Sequence, residues 1–154
     1  VGEAVMAADR LLETAKAQAD AQVSERNARE KAELMRQLGM DEGESATKAS
    51  RTMIRQLEED QKRRSKRALT DAIDRALIDL LAIYRDVLVV QVGGDGELIN
   101  TDLSDLVHEI AQDSTPRQTL ARVDHIETAR KRLVSNGNPL LVLEDMAISL
   151  RPQA

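Results

Sequence analysis

The first candidates for metal binding or proton exchange are the two histidines and the adjacent carboxylates Glu144 and Asp145 near the C-terminus. His108 and His125 each lie inside a helical pattern, and neither has a Cys or a second His one turn away to share a metal ion. Glu144 and Asp145 are adjacent, so on a helix their side chains diverge by about 100 degrees, which is typical of a solvated edge. Neither pair predicts a catalytic or metal site.

The glycine-rich segment "GGDGELIN" begins at Gly93 and is the only stretch that suggests a phosphate-binding loop. A P-loop requires Lys followed by Ser or Thr at a helix N-terminus, whereas Glu97 and Leu98 follow here. The segment therefore predicts a turn, and no nucleophile elbow occurs elsewhere. We expect a non-catalytic chain without cofactor that neither binds nor hydrolyses nucleotide. A small α-helical enzyme is the competing interpretation, which ATPase activity would support.

A basic cluster lies within "EEDQKRRSKR", residues 58–67. Its members are Lys62, Arg63, Arg64, Lys66 and Arg67. Such charges could make weak, salt-dependent contacts to phosphate groups. However, the acidic residues one turn earlier can pair with them at i,i+4, and no aromatic residue nearby could stack a base. We therefore expect mainly a solvent-exposed helix face, with phosphate contact as the alternative.

The segment "IYRDVLVV" places two charges inside a strongly apolar run. Tyr84 falls in the apolar stripe of the helix, while Arg85 and Asp86 interrupt it. Both charges could lie on the solvated side. Alternatively, they fix a polar contact at a helix junction or a subunit interface, where charge pairs set register more than they add stability.

Aliphatic side chains supply nearly all of the possible core. Hydrophobic residues make up 42% of the 154 residues, but aromatic residues only 1%. Leu, Ile, Val, Ala and Met are the residues that fill helix–helix contacts. The net charge of -5 gives no general attraction to nucleic acid or membranes, and no apolar run approaches the roughly 20 residues that span a bilayer. With no Cys, the composition predicts a soluble, cytoplasmic, all-α protein.

Helical periodicity predicts five helices, of which the first two are long. The first covers residues 3–38, and the second begins near Ser45 or Thr47 and continues to Gly93. Its polar first half, within residues 45–68, is predicted to project into water. The chain starts without Met and directly in a helical pattern, so we expect a piece of a longer protein.

Local capping signals predict the three shorter helices. Thr101 or Asp102 is expected to cap the third helix. The capping-box sequence "TPRQ" at 115–118 starts the fourth, and Asn-Pro at 138–139 starts the fifth. Arg-Pro at 151–152 ends the last helix. The predicted fold is therefore an all-α bundle of about five helices.

The fifth predicted helix is apolar around nearly its whole circumference, so it must be buried on several sides. One ridge is assigned to the core, against Leu120, Val123 and the stripe from Leu77 to Leu88. The residues of that ridge are Leu140, Leu143, Met146 and Leu150. A second face points away from the ridge and consists of Leu141, Val142 and Ile148. We expect at least part of this face to be exposed in the isolated chain and covered by another protein.

Residues 84–150, "YRDVLVV" through "MAISL", resemble the C-terminal domains of bacterial DNA polymerase III clamp-loader subunits, δ′ more closely than γ/τ. The order of features carries the resemblance. Arg-Asp lies late in a long helix, Asn100 and Asp102 precede a short helix, and Ser-Thr-Pro opens the next. "ARKRL" and Asn-Pro-Leu-Leu then lead into the terminal apolar helix.

The resemblance implies that residues 1–154 form one helical collar domain that joins clamp-loader subunits during DNA replication. The implied partners are the γ/τ and δ subunits, with the sliding clamp and primed DNA reached only through the parent complex and no membrane involved. The ATPase motifs of the family would belong to a part of the protein outside this sequence. A helical adaptor of an unrelated complex is the alternative. The candidate interface residues are Tyr84, Arg85, Asp86, Leu141, Val142 and Ile148.

Overall fold

A computed structural model of the chain describes residues 2–39, 47–94 and 96–152, and their regular secondary structure is entirely helical. The prediction of an all-α fold with five helices, two of them long, is confirmed. The helices are α1 (Gly2–Gln37), α2 (Lys48–Gln91), α3 (Ser104–Gln112), α4 (Pro116–Val134) and α5 (Pro139–Ser149), and a 3₁₀ turn at Thr101–Leu103 leads into α3.

Side chains start three of the helices, as the capping signals indicate. The Thr47 hydroxyl accepts a hydrogen bond from the amide of Ser50 before α2, while Ser45 lies outside the described residues. Thr115 and Gln118 form the predicted capping box of α4. The Asn138 side chain caps α5, with Pro following.

The prediction for the start of α3 was wrong. Thr101 and Asp102 lie within the 3₁₀ turn, and α3 begins at Ser104 with Leu103 at the cap position and no side-chain capping bond. The tighter turn satisfies some backbone groups through i→i+3 bonds, as in the bond from the Leu103 amide to the Asn100 carbonyl.

Both α2 and α4 end in Schellman motifs, in which one residue adopts the left-handed backbone conformation. Gly93 has a φ of 65°, and the Gly94 amide donates to the Val89 carbonyl. After α4 the corresponding residue is Asn136, with a φ of 62°, and the Gly137 amide donates to Arg132. These bonds satisfy the last carbonyls of each helix and turn the chain sharply, which makes the short connection to α5 possible.

The chain divides into two compact units, one of residues 14–72 and one of residues 1–13 with 73–154. The first unit is a hairpin of α1 and α2. The pairs Lys31–Glu58 and Asn27–Gln61 show that the two helices are antiparallel, because the position on α2 rises as that on α1 falls. The apolar contact of this unit consists of Ala19, Val23, Ala68 and Leu69.

In the second unit, aliphatic side chains from α2 to α5 form the core. The largest fully buried apolar residues are Ile73, Leu77, Val87, Val107, Ile126 and Leu143. Arg130 on α4 makes a bidentate contact with Asp74 on α2, at 2.7 and 3.2 Å. Gln91 joins the end of α2 to the chain after α3 by donating to the Ser114 carbonyl at 2.7 Å. Hydrogen bonds made by polar side chains therefore fix the relative positions of these helices, in addition to apolar packing.

Candidate interaction surface

The carboxylate of Asp86 holds the loop that follows α2. It is fully buried, and it accepts hydrogen bonds from the backbone amides of Ile99 at 3.0 Å and Asn100 at 2.8 Å. The Asn100 side-chain amide donates to the same carboxylate at 2.9 Å, and the Arg85 guanidinium at 2.7 Å. Arg85 also donates to the Glu97 carbonyl at 2.8 Å. Four donors therefore converge on one buried charge and fix the position at which the chain enters α3.

These donors determine the ionisation of Asp86. Burial on its own would raise the pKa of the carboxyl group, because it disfavours the charged form. The hydrogen bonds from Asn100, Ile99 and Arg85 outweigh burial and hold the pKa well below its usual range. Asp86 is therefore charged throughout the physiological pH range.

Of the two interpretations of "YRDVLVV", the structure supports a helix junction. Asp86 is buried and engaged within its own chain, so its side chain is not available to a partner, and Tyr84 is also buried. Arg85 is partly exposed beside the loop. A role of Tyr84 and Arg85 in a subunit interface stays a prediction.

We predict that Asp86→Asn lowers the free energy of unfolding by about 2 to 4 kcal/mol, because a neutral amide would turn an NH₂ group toward donors that need an acceptor. Asp79→Asn, on the exposed side of the same helix, is the matched control. Urea denaturation at pH 7 measures both. A loss for Asp86→Asn no larger than for Asp79→Asn would contradict this prediction.

The same pair of proteins tests the pH dependence. Because folding lowers the pKa of Asp86, its contribution to stability is present above its unfolded value of about 4 and is lost as the pH falls toward the folded value. Wild type should therefore lose stability more steeply than Asp86→Asn below about pH 4.

On α5, the assignment of the apolar residues is correct in part. Leu143 and Met146 are buried, while Leu140 and Leu150 are half-buried. Leu120 is not a core residue, since 53% of it is exposed, and Val123 is half-buried. The prediction fails for Leu120 because α4 turns only one face to α2 and α5, and Leu120 lies outside that face.

The second face of α5 is split. Leu141 is 63% exposed, so part of this face is open as expected. Ile148 is half-buried, and Val142 is buried, with its methyl group close to Gly137. Val142 therefore lies in the interior of its own unit, where a partner could not contact it. Leu141 is the residue of this face that best fits an interface, and that role stays a prediction.

The basic cluster of α2 is mostly exposed, as predicted, and Arg64 is the exception. Arg64 reaches across to α1 and donates to the Asn27 side chain and to Glu30, both at 2.8 Å. Arg63 pairs with Asp60 at 2.6 Å while remaining exposed. Phosphate contact therefore stays a prediction for the exposed members alone, which are Lys62, Arg63, Lys66 and Arg67.

Hydrogen bonds from Arg64 and Arg26 lower the pKa of Glu30 to about 2. We predict that Arg64→Met raises this pKa toward the usual value of about 4.3, with Arg26 still holding it partly down. NMR titration of the glutamate carboxyl carbons measures the change. Arg63→Met is the control and should leave the pKa of Glu30 near 2, whereas an equal rise in both variants would show that Arg64 has no special role.

One buried charge was not foreseen from the sequence. Arg122 on α4 is only 7% exposed, and it lines a cavity of about 200 Å³ together with Tyr84 of α2. Arg122 lies in the helical stripe of α4 but carries no local motif, so only the packing of α4 against its neighbours reveals its burial. Among the residues that the structure describes, no group of His, Cys, Asp and Glu could hold a metal ion.

A family model and a relative among known proteins both point to subunits of DNA polymerase III. The family model described as "DNA polymerase III, delta subunit, C terminal" matches residues 44–151, which is more than half of the chain. The DNA polymerase III subunit delta′ of Bacillus subtilis is 36% identical over 72 residues. That alignment covers 47% of this chain but only 22% of the relative. No solved structure matches significantly.

The two names differ in the subunit, but both refer to DNA polymerase III. The family model describes a C-terminal part. The resemblance carried by residues 84–150 is confirmed, since the matched range contains that whole segment. The matched range also includes the 3₁₀ turn, the capping box of α4 and all of α5. The chain belongs to the family of C-terminal domains of the DNA polymerase III delta subunit.

Proposed function

We propose that this chain is the C-terminal collar domain of a δ′-type clamp-loader subunit, and that it joins this subunit to its neighbours during DNA replication. The observation that carries the proposal is the family match across residues 44–151. The similarity to a delta′ subunit supports the choice of subunit type. The partners are the γ/τ and δ subunits, and the sliding clamp and primed DNA are reached only through the parent complex, which acts in the cytoplasm.

Exposed apolar side chains support an assembly role. Leu141 on α5 and Leu120 on α4 are both more than half exposed, although each belongs to a helix whose other face is buried. Apolar side chains that remain exposed on packed helices are typical of surfaces that another protein covers. None of the helices in the described ranges is long and apolar enough to cross a bilayer.

The domain itself acts without catalysis in this proposal, so we predict that it neither binds nor hydrolyses ATP. The residues after Gly96 lack the Lys and hydroxyl side chain that a P-loop needs, and Arg85 already engages the Glu97 carbonyl. Calorimetry and a phosphate-release assay on the purified chain test this. Micromolar affinity for ATP would contradict it and favour the small-enzyme interpretation.

Leu141→Glu is the sharpest test of the assembly role. Because Leu141 is 63% exposed, the charge should change the melting temperature little, while burying a carboxylate in an apolar interface should weaken assembly by at least tenfold, which corresponds to about 1.4 kcal/mol. Pull-down and sedimentation with the other clamp-loader subunits measure assembly, and circular dichroism measures melting.

Val134→Glu serves as the matched control, since Val134 is 76% exposed but lies at the end of α4. It should assemble like wild type. Ile148→Glu is informative in a different way, because Ile148 is half-buried and the variant should melt at a lower temperature. Normal assembly of Leu141→Glu would show that the interface lies on another surface, and failure of the wild-type chain to assemble would reject the collar function itself.

A further inference from the structure

The outer face of α2 carries a line of exposed basic side chains. They recur at intervals of three, four and seven residues, which places them on one side of a helix. Other side chains of α2, such as Gln61 and Arg64, make the contacts to α1, so this line lies on the face turned away from α1. The members of this outer basic stripe are Lys48, Arg51, Arg55, Lys62 and Lys66, and all five are exposed.

The positive charge of this segment exceeds the negative charge near it. Residues 47–67 contain eight Lys or Arg and three acidic residues, and residues 41–67 still contain two more basic than acidic residues, in a chain with a net charge of -5. Within the described ranges, Lys48, Arg51 and Lys62 form no ion pair, because each acidic residue of the segment already has a partner. The three pairs are Lys31–Glu58, Arg55–Glu59 and Arg63–Asp60.

Two members of the stripe lie where the helix dipole disfavours them. The helix α2 begins at Lys48, and its first turn contains no acidic residue. The aligned peptide dipoles give a helix N-terminus a partial positive charge, and Lys48 and Arg51 add to that charge instead of compensating it. Helix stability therefore does not explain these two cations, and together they raise the positive potential at this end of the stripe.

The residue types of the stripe determine which anion it fits. Protein interfaces have a core of apolar and aromatic side chains, and the stripe offers none. Single-stranded nucleic acids stack their bases on aromatic side chains, but the only aromatic residue of the chain, Tyr84, is buried elsewhere on α2. The phosphates of a duplex need only cations and other hydrogen-bond donors. The chemistry therefore matches a duplex backbone.

The spacing of the stripe also suits a duplex. At 1.5 Å per residue the stripe is about 27 Å long, which equals about 8 base pairs at 3.4 Å each. Arg55 and Lys62 are separated by about 10 Å, which is close to the roughly 12 Å width of the major groove of DNA. The cations on either side of this gap can therefore meet phosphates of the two strands. Glu58 and Glu59 lie in the gap, where the groove presents no phosphate.

We propose that the outer basic stripe of α2 binds the phosphate backbone of double-stranded DNA across the major groove, without sequence preference. This inference goes beyond the proposed function, because joining clamp-loader subunits requires no contact between this chain and DNA. The contact is electrostatic, so it weakens steeply as the salt concentration rises.

The triple variant Lys48→Gln, Arg51→Gln, Lys62→Gln tests the proposal. Fluorescence anisotropy measures the binding of the chain to a labelled duplex of about 20 base pairs, starting near 50 mM salt. With five phosphate contacts, the logarithm of the wild-type association constant should fall with the logarithm of salt with a slope of about -4.5. The triple variant should bind about tenfold more weakly or worse, and its slope should be smaller in magnitude by about 2.7.

A second triple variant with the same loss of charge is the matched control. It consists of Arg75→Gln, Arg117→Gln and Lys131→Gln, which are exposed positions outside the stripe. Its salt slope should stay near that of wild type, and equal weakening in the two triple variants would overturn the proposal. Both should melt like wild type in circular dichroism. If the stripe variant melts at a lower temperature, Lys62→Gln alone decides, and an unchanged salt slope in that variant would reject the contact.

Competition separates DNA from other anions. If polyglutamate displaces the labelled duplex as well as unlabelled DNA does, the stripe is a site for acidic protein segments and the proposal is wrong. Tighter binding of a single strand than of the duplex would also contradict it. An RNA duplex should bind more weakly than DNA, because its major groove is too narrow to admit side chains, and equal binding would reject a contact across the major groove.

Assembly measurements keep this inference separate from the collar function. The stripe variant should assemble with the other clamp-loader subunits like wild type while it loses affinity for DNA. If it loses assembly instead, the stripe is a protein interface and the proposal fails. If wild type assembles but does not bind the duplex, the DNA contact is rejected while the collar function stands.

Discussion

The buried carboxylate of Asp86 is the contact on which the C-terminal half of the molecule depends. It lies on a rigid helix and accepts backbone hydrogen bonds from two consecutive residues, Ile99 and Asn100. The 3₁₀ turn and α3 follow immediately, so their starting point and direction are set by a charge on α2. A loop that is otherwise without regular structure is thus fixed by charge-assisted hydrogen bonds, which are stronger than neutral ones. Apolar packing alone could not fix the loop so closely, since it is not directional.

The composition explains why polar contacts carry so much of the specificity. With almost no aromatic residues, the core consists of small and medium aliphatic side chains, whose contacts are not directional and leave some freedom in how the helices are placed. Directional contacts remove that freedom. Arg130 fixes α4 on α2 through Asp74, and in the hairpin of residues 14–72, Arg64 fixes α2 on α1 through Asn27 and Glu30. Each contact specifies one register of two antiparallel helices.

Some of this architecture could be predicted from the sequence because its causes are local. The capping box at Thr115, the Asn138 cap and the glycines after α2 each act within five residues, so the sequence contains the whole interaction. The start of α3 could not be predicted in this way. Its position depends on the bonds of Asp86 to residues 13 and 14 positions away, and these overrode Thr101 and Asp102 as caps. The prediction of a solvated face fails at Arg64 for the same reason, because its partners lie on α1, 34 and 37 residues earlier.

Two arginines of α4 show how one helix pair can place the same type of side chain in two different surroundings. Arg130 meets Asp74 of α2 and is satisfied within the chain. Eight residues earlier, Arg122 faces the part of α2 where Tyr84 stands, and a phenol offers an oxygen but no negative charge. Among the described residues, no nitrogen of Arg122 is both buried and without a hydrogen-bond partner, so the burial of this residue is mainly that of its aliphatic stem. Arg122 therefore contributes apolar packing through its stem, and its charge shares the cavity with the carboxylates of Glu109 and Asp113. Leu141 differs from both arginines, because 63% of it is exposed and its side chain therefore contributes little to the packing of its own unit.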